Sequence, residues 1–232
     1  MTIHIKYIIN KIIRVDSFEQ INDYDKVILI ECSNNQLSKL PELPISLEYL
    51  YCNDNQLSLL PKLPNSLKTL SCYGNQLTEL PELPNSLEIL NCCRNQLISL
   101  PKLPNTLRQL YCNWCQLKSL PELPNMLKEL FCNNNQLESL PKLPNMLQEL
   151  FCGNNQLSSL PKLHNNLETI DFDNNIIKLL PIIPNSLEYL YCDNNQLTSI
   201  PELPNLLKKL KCENNNFIKS KTNKYLIKII YM

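Results

Sequence analysis

Glycine is almost missing from this chain: Gly74 and Gly153 are the only two among 232 residues. That excludes a glycine-rich phosphate-binding loop. It also means that tight turns rest on another residue able to take left-handed backbone angles, for which Asn is the best non-glycine candidate. Histidine is equally scarce, and His4 and His164 stand too far apart in sequence to suggest a catalytic constellation. Neither sign of charge is in excess, since Lys+Arg and Asp+Glu both number 22, so no overall field marks the chain for nucleic acid or an anionic membrane. No apolar run reaches the ~20 residues of a membrane span. The opening segment MTIHIKYIINKIIRV is rich in Ile but is broken by Lys6, Asn10, Lys11 and Arg14. It has no small-residue cleavage site, which argues against a signal peptide.

What the chain has is proline, cysteine and a repeat. Pro41, Pro61, Pro81, Pro101, Pro121, Pro141, Pro161, Pro181 and Pro201 fall 20 residues apart without an insertion. A second column runs from Pro44 to Pro204 with His164 as its one substitution, and the two columns hold all 17 prolines. A fixed period of this length marks a stacked-repeat architecture. In the unit Leu67–Ser86, apolar residues stand at Leu67, Leu70, Cys72, Leu77, Leu80 and Leu83, with Asn75 between them. The stretch Leu70-Ser71-Cys72 alternates as a strand does, and the two prolines that follow exclude a helix interior and favour an extended or polyproline II return. The expected fold is a right-handed solenoid of about ten coils, with a parallel β-sheet on the concave face, extended returns on the convex face and little helix. Residues 27–217 form the repeats. Residues 1–26 and 218–232 are expected to be caps. In the first, Ser17 and Gln20 have capping-box spacing and suggest a short helix; in the second, Ile227, Ile230 and Met232 continue the repeat register as a truncated strand.

Nine of the eleven cysteines fall in one inward-facing column, from Cys32 to Cys212, interrupted by Phe172. One reading is a row of reduced core thiols, because free Cys packs as a small hydrophobe. The other is a disulfide, redox or metal role, against which equivalent thiols on successive strands have no natural pairing. Cys112-Asn113-Trp114-Cys115 has CxxC spacing but falls on two repeat positions, so it is not read as a redox site. Cys93 alone is expected to point to the open face. Abundant free thiols imply a reducing compartment such as a cytoplasm. The Asn column (Asn35, Asn55, Asn75 and onward) is expected to satisfy backbone groups of the turn, and the Gln column beside it to stack as an amide ladder. Glu42, Lys62, Glu82, Lys102, Glu122 and Lys142 alternate in sign and are expected to attract along the stack.

The LPELPNSL run joined to an Asn-Gln-Leu turn resembles the shortest class of leucine-rich repeat, which is found in bacterial effectors of the YopM and IpaH type and in giant-virus proteins. The likeness covers roughly residues 27–217. It implies a protein-binding solenoid acting inside a host cell, without the ubiquitin-ligase domain that several such effectors carry.

Positions that alternate with the core line the open face. Tyr49, Tyr51, Tyr73, Tyr111, Trp114, Phe131, Phe151, Tyr189 and Tyr191 fall there or beside it, and Tyr111, Trp114, Phe131 and Phe151 are expected to form one central patch. Stacking along the sheet would give these rings a structural use, whereas an interface would use them as anchors. The expected partner is therefore a protein, with self-association as one form of that reading, and no nucleic acid, membrane or cofactor is called for. An alternative function is a metal-dependent or hydrolytic enzyme using Asp171, Asp173 and Asp193, for which a solvated acidic patch is the simpler account. In the eighth coil, Ile176 and Ile182 are expected to repack around the bulkier Phe172, or else to be offered to a partner.

Overall fold

A computed structural model of the chain describes residues 2–7 and 12–217. The expected C-terminal cap lies outside these residues. Two compact units divide the chain, the first ending at Leu117 and the second beginning at Lys118.

The first unit opens with an antiparallel hairpin, β1 (Ile3–Tyr7) and β2 (Ile12–Val15), and β1 also pairs antiparallel with β3 (Val27–Glu31). Parallel strands follow at 20-residue intervals: β4 (Tyr49–Tyr51), β5 (Thr69–Ser71), β6 (Ile89–Asn91) and β7 (Gln109–Tyr111). Their register matches repeat position to repeat position, so Ile30, Leu50, Leu70, Leu90 and Leu110 form one fully buried row. The second unit holds five parallel strands on the same plan: β8 (Glu129–Phe131), β9 (Glu149–Phe151), β10 (Thr169–Asp171), β11 (Tyr189–Tyr191) and β12 (Lys209–Lys211).

Each coil has the same local causes. A short strand is followed by a turn with a left-handed backbone at Asn34, Asp54, Gly74, Arg94 and Trp114 in the first unit, with Gln36 a second such residue in the first coil, and at Asn134 to Asn214 in the second. Asn thus does most of the work that glycine would otherwise do, one position before the buried Asn column. The proline-rich return carries no regular hydrogen bonding until it closes in a β-turn, where the Leu67 N–H donates to the Pro64 carbonyl at 3.1 Å, as at the equivalent residues of other coils.

The Asn column is the polar spine. Asn75 Nδ2 donates to the carbonyls of Cys52, Cys72 and Tyr73 at 3.0, 3.1 and 3.3 Å, and its Oδ1 accepts the Leu57 N–H at 3.0 Å. One amide therefore bridges two coils. Cys115 stands in the same column, and its thiol still reaches the Cys92 carbonyl of the preceding coil at 3.4 Å. A second ladder escaped the sequence reading. The hydroxyls of Ser46, Ser66, Ser86 and Thr106 donate to carbonyls of the coil before, for instance Ser86 to Leu67 at 2.7 Å. Its signal was the recurrent Ser or Thr two residues after the second proline.

The N-terminal cap is a hairpin, not a helix: Phe18–Gln20 is one 3-10 turn, and Ser17 makes no side-chain capping bond. Alternation at Ile3, Ile5 and Tyr7 buries one side of β1, and Thr2 exchanges two hydrogen bonds with the amide of Asn35, at 2.6 and 2.7 Å. The first rung of the spine is thereby satisfied without a preceding coil. The Gln column makes no amide ladder; its side chains lie mostly exposed, while its N–H groups bond the coil before, as Gln76 does to the Leu57 carbonyl at 2.9 Å. The charged column at Glu42 and Lys62 does not pair along the stack. Ion pairs between coils form instead at Glu48–Lys68, Glu88–Arg108 and Glu188–Lys208, at 2.8, 3.5 and 2.6 Å, on the stretch entering each strand. Ile176 and Ile182 do not repack around Phe172, which is fully buried; they are 46% and 89% exposed.

Candidate functional site

Strand geometry turns alternate residues out of the sheet, so each unit presents an open face made of repeat positions that the core does not use. In the first unit that face carries Tyr49 and Tyr51 on β4 and Tyr111 on β7, with Tyr73 just beyond β5; all four are half-buried. Arg94 lies over the Tyr73 ring with its guanidinium carbon 5.5 Å from the centroid. Trp114 is different. It is 58% exposed and occupies the left-handed turn position, at φ 56°.

In the second unit Phe131 and Phe151 stack with centroids 4.4 Å apart and planes 15° from parallel, each half-buried. The stacking use that the sequence allowed is therefore realised for this pair. Farther along the unit, the ammonium groups of Lys209 and Lys211 sit 5.4 and 5.8 Å from the centroid of the Tyr191 ring, and Lys208 approaches Tyr189 at 5.9 Å. The predicted rings thus fall into two groups, one on each unit.

The repeat family model for leucine-rich repeats matches residues 186–206. Among solved structures, YopM from Yersinia pestis is 41% identical, with 81% of this chain and 55% of that one covered at a TM-score of 0.78. YopM from Yersinia enterocolitica WA-314 is 37% identical over 79% and 45%, at 0.68. A Shigella effector leucine-rich-repeat domain is 34% identical over 69% of this chain and 70% of its own, at 0.60. This chain belongs to the leucine-rich-repeat family. It spans about half the length of the two YopM chains. No curated protein matches it at a significant level.

All eleven cysteines of this leucine-rich-repeat chain are free and buried. Burial raises the pKa values of ten of them, that of Cys93 to about 11, which makes them poor nucleophiles. Cys93 corrects an expectation: it is only 7% exposed, because its sulfur turns along the stack to accept the Asn113 N–H at 3.2 Å. Cys115 is buried as a member of the polar spine, consistent with reading the CxxC spacing as two repeat positions.

The acidic residues of the second unit have a comparable role. Asp171 Oδ1 accepts the Asp173 N–H at 3.0 Å, Asp173 Oδ1 accepts the Asp193 N–H at 2.6 Å, and Asp193 Oδ1 accepts the Glu213 N–H at 2.6 Å. Asn53 and Asn133 do the same at equivalent positions, for Tyr73 and Gly153. The carboxylates thus satisfy N–H groups in the turns just past the strands. Among the described residues no group of three or more His, Cys, Asp or Glu is arranged to hold a metal ion. No helix among them is long and apolar enough to cross a membrane.

Burial, reinforced by the Asp171 carboxylate, pushes Asp173 up to about 6. A folded-state value above the unfolded one means that this group favours the native state most at acid pH, below about 4, and that its contribution is lost as pH rises through about 6. Asp173→Asn keeps the acceptor for Asp193 and removes the charge. It should raise stability at pH 7.5 by roughly 1 kcal/mol, a figure discounted for the half-exposed site, with the gain vanishing near pH 4. Thermal melts of both proteins across that range check the sign. A destabilised variant at neutral pH would show that the charge itself is needed.

Proposed function

We propose that this leucine-rich-repeat chain is a binding module that holds a protein partner on its open face, and that it acts as a host-directed effector in a reducing cytoplasm. Its likeness to the Yersinia and Shigella effectors supports the host-directed part. Trp114 is the anchor, and Tyr49, Tyr51, Tyr73 and Tyr111 extend the contact surface of the first unit. Phe131, Phe151, Tyr189 and Tyr191 supply contacts on the second.

One observation carries this reading. A left-handed backbone costs an ordinary L-residue ~1–2 kcal/mol, and Asn less, which is why Asn fills most of these turns. Trp114 bears that cost while leaving 58% of its surface in water, so its packing returns little to the fold. Strain without folding benefit concentrates where a chain meets its ligands, and Trp is the most enriched anchor in interface centres. Capture from host-cell lysate by the wild-type and Trp114→Asn chains, compared quantitatively, tests the proposal. A partner held by the first and lost by the second supports it. Identical captured sets would remove Trp114 from the interface.

A further inference from the structure

The return side of the first unit carries a charged column that the fold leaves unused. Glu42, Lys62, Glu82 and Lys102 each follow the first proline of their return, and all four are exposed. The ion pairs between this unit's coils are made elsewhere, by Glu48–Lys68 and Glu88–Arg108. The flanking prolines fix the backbone that bears the four charges, so they stand on stiff ridges. Between the ridges run grooves, one of about 600 Å³ lined by Glu42, Ile45, Lys62 and Pro64 among others, the next of about 480 Å³ between the Lys62 and Glu82 returns. Ile45, on the wall of the first, is 76% exposed.

We propose that this face is a self-association surface, occupied by the same face of a second copy of the chain running antiparallel. Charge order carries the inference. Read forwards the column is negative, positive, negative, positive; read backwards it is the reverse. A copy turned about a two-fold axis therefore sets its Lys102 against Glu42 and its Glu82 against Lys62, and symmetry repeats both pairs. The spacing matches without adjustment, because the same 20-residue coil sets both columns. A parallel copy in register would oppose like charges. A parallel copy displaced by one coil would not close and would grow. Prolines leave few backbone donors on this side, so contact is made by side chains, with ridges seated in grooves and Ile45 adding apolar area. Exposed ion pairs are individually weak, and the dimer is accordingly weak and sensitive to salt.

Sedimentation equilibrium of the full chain tests this from micromolar to millimolar concentration, at low and high salt. Two variants make the column uniform: Glu42→Lys with Glu82→Lys, and Lys62→Glu with Lys102→Glu. The sites are exposed, and circular dichroism melts confirm that the variants fold; the single exchanges Lys62→Glu and Glu82→Lys test the central pair in the same way. The wild type should form a dimer at low salt that dissociates at high salt. Each variant alone should associate about 30-fold or more weakly, and an equimolar mixture of the two should recover the dimer. A wild type monomeric throughout, variants that associate as the wild type does, a mixture that stays monomeric, or growth past a dimer would each overturn the proposal.

Discussion

Asn75→Ala should destabilise the protein by roughly 2–3 kcal/mol, the largest loss expected from any single polar substitution in the first unit. The side chain is buried, with 8% of its surface exposed, and it joins two coils by four hydrogen bonds. Alanine removes the donor and the acceptor together. The N–H of Leu57 then loses its partner in a place that water does not reach easily, which costs ~1–3 kcal/mol, while the Cys52 and Cys72 carbonyls each lose one of two bonds and keep those from Asn55 and Asn95. Asn75→Cys should cost less than the alanine change, because Cys115 shows a thiol reaching the preceding coil's carbonyl from the same column. Urea unfolding of the three proteins checks both the size and the order. An alanine variant as stable as the wild type would show that the spine is redundant with the backbone ladder.

Leu130→Ala and the double change Phe131→Ala with Phe151→Ala should differ sharply in stability although Leu130 and Phe131 are neighbours. Leu130 is fully buried in the row shared with Leu150 and Ile170, and truncating it leaves a cavity worth ~2–5 kcal/mol. The two rings lie on the open face, half-buried, and stack on each other. Their loss should cost ~1–2 kcal/mol in all, from the stacking and a modest loss of buried area. Denaturation of both variants settles the order. A double variant as damaged as Leu130→Ala would make the pair part of the core.

The core was legible because the period does the work: Leu70, Cys72, Leu77, Leu80 and Leu83 recur every 20 residues, and all five are buried. Asn75 was legible for the same reason. What escaped lies where periodicity gives a position but not a direction. Cys93 stands just past a strand end, and only the winding of the turn decides that its sulfur runs along the stack to Asn113. The alternating charges at Glu42 and Lys62 look like neighbours in a table of repeats, yet the coil brings Glu48 and Lys68 together instead. The N-terminal hairpin was hidden because a short polar spacing suggested a helix, while the alternation of Ile3, Ile5 and Tyr7 carried the true signal. At the candidate site, the sequence located the rings but could not show that Trp114 takes a strained left-handed turn.

That residue offers the most direct test of the binding account. Trp114→Asn replaces the exposed ring with the residue that six other left-handed turns already use, from Asn34 to Asn214. Two quantities would be measured on one preparation: the melting temperature, and the affinity for the captured partner by isothermal titration. The account predicts an unchanged or raised melting temperature, by up to ~1 kcal/mol in stability, together with partner binding weakened by about 30-fold or more. A variant that melts lower and binds as well as the wild type would contradict it, and would make Trp114 a structural residue.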